Sequence, residues 1–196
     1  MKTKISEQMK VNAPSKGHLA EMQNRKSSMI KLDYLTESEL AQFEKAGTTP
    51  DTSMELHKDM FVFSSHVGGL GISDLSQLRW SFFDGKNINF TRMKTHGHLS
   101  IPIPDKGLEI LNKYRLQKSN PDAFIFNAIC SAPAHINKNV NAIAKLAGIE
   151  RKINFVVARR TFATMAVKKG IPIEITLKTM GHSDIKQAHL YFESSK

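Results

Sequence analysis

Cysteine is almost absent from this chain of 196 residues, in which Cys130 is the single example. One thiol cannot form an internal disulfide and leaves no second cysteine for a zinc knuckle, which agrees with a reducing compartment. Long apolar runs are absent too: none approaches the roughly 20 residues of a membrane-spanning helix. The N-terminal MKTKISEQMK also lacks the apolar centre of a secretory signal. We therefore expect a cytoplasmic protein with no membrane partner.

Acidic residues are few compared with basic ones: 18 Asp and Glu stand against 28 Lys and Arg, a formal net charge of +10. Such an excess favours a polyanionic partner, nucleic acid first and an anionic membrane surface second. Hydrophobic residues make up 40% of the chain, which argues against wholesale disorder. The length suits one domain with a buried core, or one domain with a tail.

Residues 1–33 are interpreted as a basic tail or linker. Its first 32 residues carry seven Lys or Arg against two Glu, with weak apolar periodicity and the early breakers Pro14 and Gly17. Such a segment can become ordered on DNA. Composition alone leaves open the alternative of a solvated tail with no specific role. The ordered domain is expected over 34–196.

Local patterns predict a mainly α domain with one small antiparallel sheet, an α+β fold class. Capping boxes start the first two helices, Thr36-x-x-Glu39 and Thr52-x-x-Glu55, and Ser73 or Asp74 is expected to cap a short third helix. The predicted helices cover 37–46, 53–67, 73–78, 105–117, 137–147, 159–169 and 173–180, and the strands cover 87–90 and 99–103.

The C-terminal stretch carries three side chains suited to chemistry at fixed separations: Arg159, His182 and Tyr191. Helices are predicted to end at Gly170 and Gly181, since glycine accepts the left-handed conformation past a helix end. A further helix with Tyr191 near its end is expected after residue 183. Arg159 at a helix start, His182 in a turn and Tyr191 at a helix end can converge in space.

The runs ARRTFAT and TMGHSD, followed by Tyr191 nine residues after His182, resemble the C-terminal half of a tyrosine recombinase of the phage integrase family. The block GLGISDLSQLRWSFFD is similar to the segment with that family's first active-site Arg. The run NINFTRMKTHGHLSIPIP resembles its β-hairpin, with Lys94 at the catalytic Lys position. The resemblance covers residues 34–192 and implies the tyrosine recombinase catalytic-domain fold. The family's separate N-terminal core-binding domain is expected to be absent from this chain.

The resemblance implies that the domain cuts and rejoins double-stranded DNA through a 3′-phosphotyrosine on Tyr191. Arg159 would neutralise non-bridging phosphate oxygens, because a guanidinium fork matches two of them. His182 would bond the same phosphate or help move the proton, and Lys94 would protonate the departing 5′-oxygen. The scheme needs no metal or other cofactor. Family members self-associate as tetramers on DNA, which is expected here as well.

Each of these residues also has a plainer interpretation. Tyr191 can be a packing anchor, Lys94 a solvated surface residue, and His182 a cap for helix carbonyls. Arg159 beside Arg160 can contact backbone phosphates without catalysing anything. DNA contacts are predicted for Arg160, Arg92 and Lys168. The run His96-x-His98 supplies two ligands without a third, so no metal site is expected.

Two positions depart from the family pattern. Gly71 stands where the first active-site Arg is expected, and Val156 stands where a His or Lys three residues before Arg159 is expected. Gly71 has no side chain, and the side chain of Val156 cannot donate a hydrogen bond to a phosphate. Because such an arginine is worth on the order of 10³ to 10⁵ in rate in phosphoryl transfer, impaired cleavage is predicted.

Three other arginines remain as alternatives for the missing group: Arg79, Arg92 and Arg160. Two function hypotheses follow. The first is a site-specific recombinase or integrase of a mobile element, and the second is a catalytically silent DNA-binding module of the same fold.

Overall fold

Seven α-helices and one two-stranded antiparallel sheet are found in the part of the chain that this computed structural model describes, namely residues 34–50, 52–92, 97–115, 120–128 and 131–182. The elements in chain order are α1 (Glu37–Lys45), α2 (Ser53–His66), α3 (Ile72–Leu75), β1 (Asn87–Thr91), β2 (His98–Pro102), α4 (Asp105–Lys113), α5 (Pro133–Leu146), α6 (Phe155–Lys168) and α7 (Ile173–Thr179). A turn of 3-10 helix, Trp80–Phe82, precedes β1. The predicted fold class is confirmed.

Helix α2 forms the centre of the domain. Residues 60–63 are at most 3% exposed, so the helix is buried on every side over this turn. Helices α1, α4, α5 and α6 all pack against it. The Phe61 ring lies 4.8 Å from that of Phe43 in α1 and 5.6 Å from that of Phe155 in α6. These contacts tie the N-terminal helices to the helix that carries Arg159.

The first two helices begin where their capping residues predict. Thr36 and Thr52 each accept a hydrogen bond from the backbone N–H three residues later. In α1 the Glu39 carboxylate also accepts from the Thr36 N–H at 2.8 Å, which completes the capping box. These starts are predictable because every group involved lies within four residues.

The hairpin alternates buried and exposed residues. Ile88 pairs with Ile101 and Phe90 pairs with Leu99, and all four side chains face the core. The sheet is therefore buried on one face, and β2 packs against α7. Arg92 follows β1 directly, which brings it close to the end of α7.

Helix α3 differs from its prediction. It begins at Ile72 with Gly71 as the N-cap residue and with no side-chain capping bond, so Ser73 and Asp74 lie inside the helix. The predicted Ser73 or Asp74 cap is wrong. Asp74 is buried and forms an ion pair with Arg92 instead, a distant contact that local pattern does not reveal.

Helices α5 and α6 begin four residues earlier than predicted, and α4 ends at Lys113 rather than near 117. Pro133 takes the first turn of α5, where its missing N–H costs nothing. Asn154 caps α6 by accepting from the N–H groups of Val156 and Val157. Arg159 consequently lies in the second turn of α6, and its predicted place at a helix start is wrong.

The aromatic residues near the sheet fill the core to different degrees. Trp80 is 4% exposed, whereas Phe82 and Phe83 are half-buried and pack against the core.

In the described ranges no helix is both long and apolar enough to cross a bilayer.

Candidate active site at the α6–α7 junction

Arg159 is held from two directions by backbone carbonyls. Its Nη1 donates to the carbonyl oxygen of Gly69 at 2.9 Å, and its Nη2 donates to that of Met180 at 2.7 Å. The loop before α3 and the end of α7 therefore both fix the guanidinium. Such a preorganised arginine loses little side-chain entropy when it binds an anion.

Gly69 allows this close approach. Its φ of +59° is in the left-handed region, and a Cβ there would lie 2.9 Å from Cγ and 3.1 Å from Cα of Arg159. The loop can pass the α6 backbone only without a side chain at this position.

His182 lies next to Arg159 because of how α7 ends. Gly181 has φ +71° and donates its N–H to Lys178, while the His182 N–H donates to Leu177 at 2.9 Å. This pair of bonds is a Schellman cap, and it turns the chain sharply after Met180. His182 therefore caps the carbonyls of α7 through its backbone N–H. Its imidazole ring takes no part in the cap and makes a different contact.

The imidazole of His182 meets the guanidinium of Arg159. Its Nε2 lies 2.8 Å from Arg159 Nη2. A guanidinium only donates hydrogen bonds, so Nε2 is the acceptor and a neutral ring carries its proton on Nδ1. The structure thus brings together two of the predicted catalytic residues, 23 positions apart in sequence.

Arg92 lies against the same turn. Its Nη1 would be 2.8 Å, and its Cδ 3.1 Å, from a Cβ built on Gly181. Its Nη2 is 3.2 Å from Oδ2 of Asp74, and both side chains are about 10% exposed or less. A buried ion pair therefore connects α3 to the turn that presents His182.

The two positions that depart from the family pattern are open to their surroundings. Gly71 has an ordinary φ, and a Cβ there would meet no heavy atom within 4 Å. Val156 lies in the first turn of α6 and is 52% exposed. A larger polar side chain is sterically compatible with both positions.

The remaining predicted residues are separate from this cluster or outside the described ranges. Lys168 is exposed at the other end of α6, about 13.5 Å along the axis from Arg159, with Nζ 5.6 Å from the Tyr34 ring centroid. Arg160 is part-buried beside Arg159. Lys94 and Tyr191 lie outside the described residues, so their predicted roles stay predictions.

Several partners in the site escaped the sequence analysis. The Gly69 and Met180 carbonyls have no individual signature, because a backbone acceptor is available at every residue. Asp74 lies among serines and a glutamine in GISDLSQL, so the sequence is equally typical of an exposed capping acid and does not indicate a buried ion pair.

Similarity to known proteins identifies the family of this chain. The model of the phage integrase family matches residues 33–196. A tyrosine recombinase of Thermosipho africanus is 25% identical over 166 residues, which cover 81% of this chain and 56% of the relative. The chain therefore spans little more than half of that relative's length.

Solved structures show the same fold. XerA recombinase superposes with a TM-score of 0.66 at 20% identity, over 81% of this chain and 57% of that one. The XerH site-specific recombinase, bound to its palindromic difH substrate in a post-cleavage complex, gives a TM-score of 0.65 at 18% identity, over 82% and 50% of the two chains. At such identities the structural likeness establishes the fold alone. With the family match it leads to one conclusion: this chain belongs to the phage integrase family of tyrosine recombinases.

Proposed function

We propose that this chain is the catalytic domain of a site-specific recombinase or integrase of a mobile element, and that it cuts and rejoins double-stranded DNA. The observation that carries the proposal is the Arg159–His182 pair, with Nη2 and Nε2 2.8 Å apart and the guanidinium anchored on the Gly69 and Met180 carbonyls. An anchored arginine beside an imidazole suits a phosphodiester, whose charge increases in the transition state.

The proposed reaction is a transesterification. The phenolic oxygen of Tyr191 attacks the phosphorus and forms a 3′-phosphotyrosine while the bond to the 5′-oxygen breaks, and the phenolic proton passes to His182 or to water. Lys94 gives a proton to that leaving oxygen. Arg159 donates to the non-bridging oxygens, and His182 bonds the same phosphate or takes part in proton transfer. The reverse attack by a 5′-hydroxyl reseals the strand without an external energy source.

Cleavage is proposed to be slow because Gly71 and Val156 contribute no donor to the phosphate. Both positions have room for a longer side chain, so the missing groups result from the residue types and not from a blocked site. The same two residues favour the second candidate function, a catalytically silent DNA-binding module that competes or assists at recombination sites.

DNA contact is proposed through Arg160 and Arg92 near the site and through Lys168 at the other end of α6, with self-association on the DNA. Phosphate contacts of this kind set affinity and register but carry no sequence information.

Relaxation of a supercoiled plasmid tests the proposal without knowledge of the target site. The 196-residue chain should relax the plasmid slowly, and Tyr191→Phe and Arg159→Ala should abolish relaxation while both variants still bind DNA. Equal relaxation by Tyr191→Phe would refute the phosphotyrosine mechanism. No relaxation by any form, with DNA binding intact, would favour the silent module.

A further inference from the structure

The turn at residues 180–182 is contacted by two guanidinium groups. Arg159 reaches it through the Met180 carbonyl and the His182 ring, and Arg92 fills the space over the Cα of Gly181. Two cations on one three-residue turn repel each other, so a partner of opposite charge stabilises the arrangement. Asp74 provides one negative charge next to Arg92, which leaves Arg159 and Arg92 together with Asp74 at a net charge of +1.

Arg92 also lies on the side of the site where Gly71 supplies nothing. Its ion-pair partner Asp74 is in α3, one helical turn after Gly71. Arg92, which follows β1, therefore lies next to α3. It is close to the helix start at which Gly71 has no side chain. Arg159 and Arg92 are therefore two arginines that contact one turn, residues 180–182.

The other two candidate arginines are directed elsewhere. Arg79 donates to the carbonyl of Asp122 and lies over the Phe124 ring, with Cζ 4.1 Å from the centroid. Arg160 follows Arg159 on α6, and consecutive helical residues point about 100° apart, so the two do not share a face. Arg92 is thus the candidate that contacts the turn presenting His182.

We propose that Arg92 is a second catalytic arginine of this domain, contacting the non-bridging oxygens of the scissile phosphate in place of the side chain that Gly71 lacks. This inference rests on the proposed function. The bond changes are unchanged: the Tyr191 oxygen bonds to phosphorus, the bond to the 5′-oxygen breaks, and Arg92 donates hydrogen bonds without transferring a proton.

Burial suits Arg92 to this role. Its side chain is 10% exposed, so a hydrogen bond to a phosphate there is little weakened by water. The Asp74 carboxylate keeps the guanidinium in place before DNA binds, which lowers the entropy lost on binding. The slow cleavage proposed above then depends on Arg92.

The test measures plasmid relaxation and covalent protein–DNA adduct for the full chain and four variants. Arg92→Met with Asp74→Asn removes the cation and its buried counter-charge together, so no lone carboxylate remains to unfold the protein. Arg79→Met is the matched control. The third variant adds Gly71→Arg to the Arg92→Met, Asp74→Asn pair, and the fourth combines Gly71→Arg and Val156→His in the unsubstituted background.

The expected result is at least a ~100-fold loss of adduct formation for the Arg92 and Asp74 double variant, in line with what one arginine contributes to phosphoryl transfer. Arg79→Met should stay within about twofold of the unsubstituted rate. Gly71→Arg should restore at least ~10-fold, because it brings a guanidinium to the same phosphate from α3. A residue needed only for packing would not be rescued from a different helix.

Three results would overturn the inference. Adduct formation by the double variant at the unsubstituted rate would exclude Arg92, and failure of Gly71→Arg to rescue would reduce it to a packing role. Adduct from the Gly71→Arg, Val156→His variant but none from the unsubstituted chain would also exclude Arg92 while keeping the recombinase proposal. If folded, DNA-binding protein of every form gave no adduct, the proposed function would fail, and the inference with it.

Discussion

Gly181 combines two demands in one residue: a left-handed backbone at the end of α7 and empty space for Arg92. Gly181→Ala should therefore lower the free energy of unfolding by more than the ~1–2 kcal/mol that a left-handed alanine costs, and it should abolish plasmid relaxation. Urea unfolding and relaxation assays measure the two effects.

Gly170 provides the matched control. It has φ +82° in the same capping position after α6, with nothing within 4 Å of its Cβ position. Gly170→Ala should show the backbone cost alone and keep relaxation. Equal behaviour of the two variants would mean that Arg92 moves aside without consequence.

Arg159→Lys tests the geometry of its anchoring. A lysine keeps the charge but cannot bridge the Gly69 and Met180 carbonyls and the His182 ring together. Relaxation should fall at least ~100-fold with nearly unchanged DNA affinity. A loss of affinity equal to the loss of rate would assign Arg159 to binding alone.

At the residue scale, the sequence predicted that Arg159 and His182 can converge, and the structure places them in contact, but the sequence did not predict the other contacts of the site. Their residue types and spacing indicate the chemistry, whereas the Asp74–Arg92 pair depends on α3 and β1 meeting in space. Distance along the chain does not show which of Arg79, Arg92 and Arg160 replaces the arginine missing at Gly71, so all three were alternatives from the sequence.

Among the elements, α1 is attached to the segment before α6 by an ion pair between Arg151 and Glu39. The Arg151 hydrogen bond lowers the pKa of Glu39 to about 2 from 4.5. Because the folded-state pKa is the lower one, this contribution is fully present above pH 4.5 and is lost as the pH falls toward 2. Glu39→Gln should flatten the decline in stability over that window.

Thermal unfolding between pH 2 and 5 measures the effect. The control Glu37→Gln removes a charge from the same first turn and leaves the Arg151 contacts in place. An unchanged pH profile for Glu39→Gln would show that the ion pair contributes nothing to stability.

Element starts were predictable where the capping groups are local, as for Thr36 and Thr52. The predicted start was wrong for α3, where a distant contact takes over. It was too late for α6, because the Asn154 cap was overlooked and the helix begins one turn before Arg159. Both strands of the hairpin were predicted to within one residue at each end. Their register was not predicted; it agrees with the burial of one face of the sheet.

On the scale of the whole molecule, the formal net charge of +10 predicts salt-dependent DNA binding. The logarithm of the association constant should fall linearly with the logarithm of salt concentration, with a slope of about −0.9 for each phosphate neutralised. Arg160→Gln and Lys168→Gln should each reduce the slope by about one. An unchanged slope would remove that residue from the DNA interface.

The most direct test of the central claim is to locate the covalent bond. Protein–DNA adducts formed on plasmid DNA are digested with nuclease and trypsin, and the peptides are sequenced by mass spectrometry. The account predicts a nucleotide on Tyr191, in the peptide that follows Lys186. A nucleotide on another residue, or no adduct from folded protein that binds DNA, would contradict it.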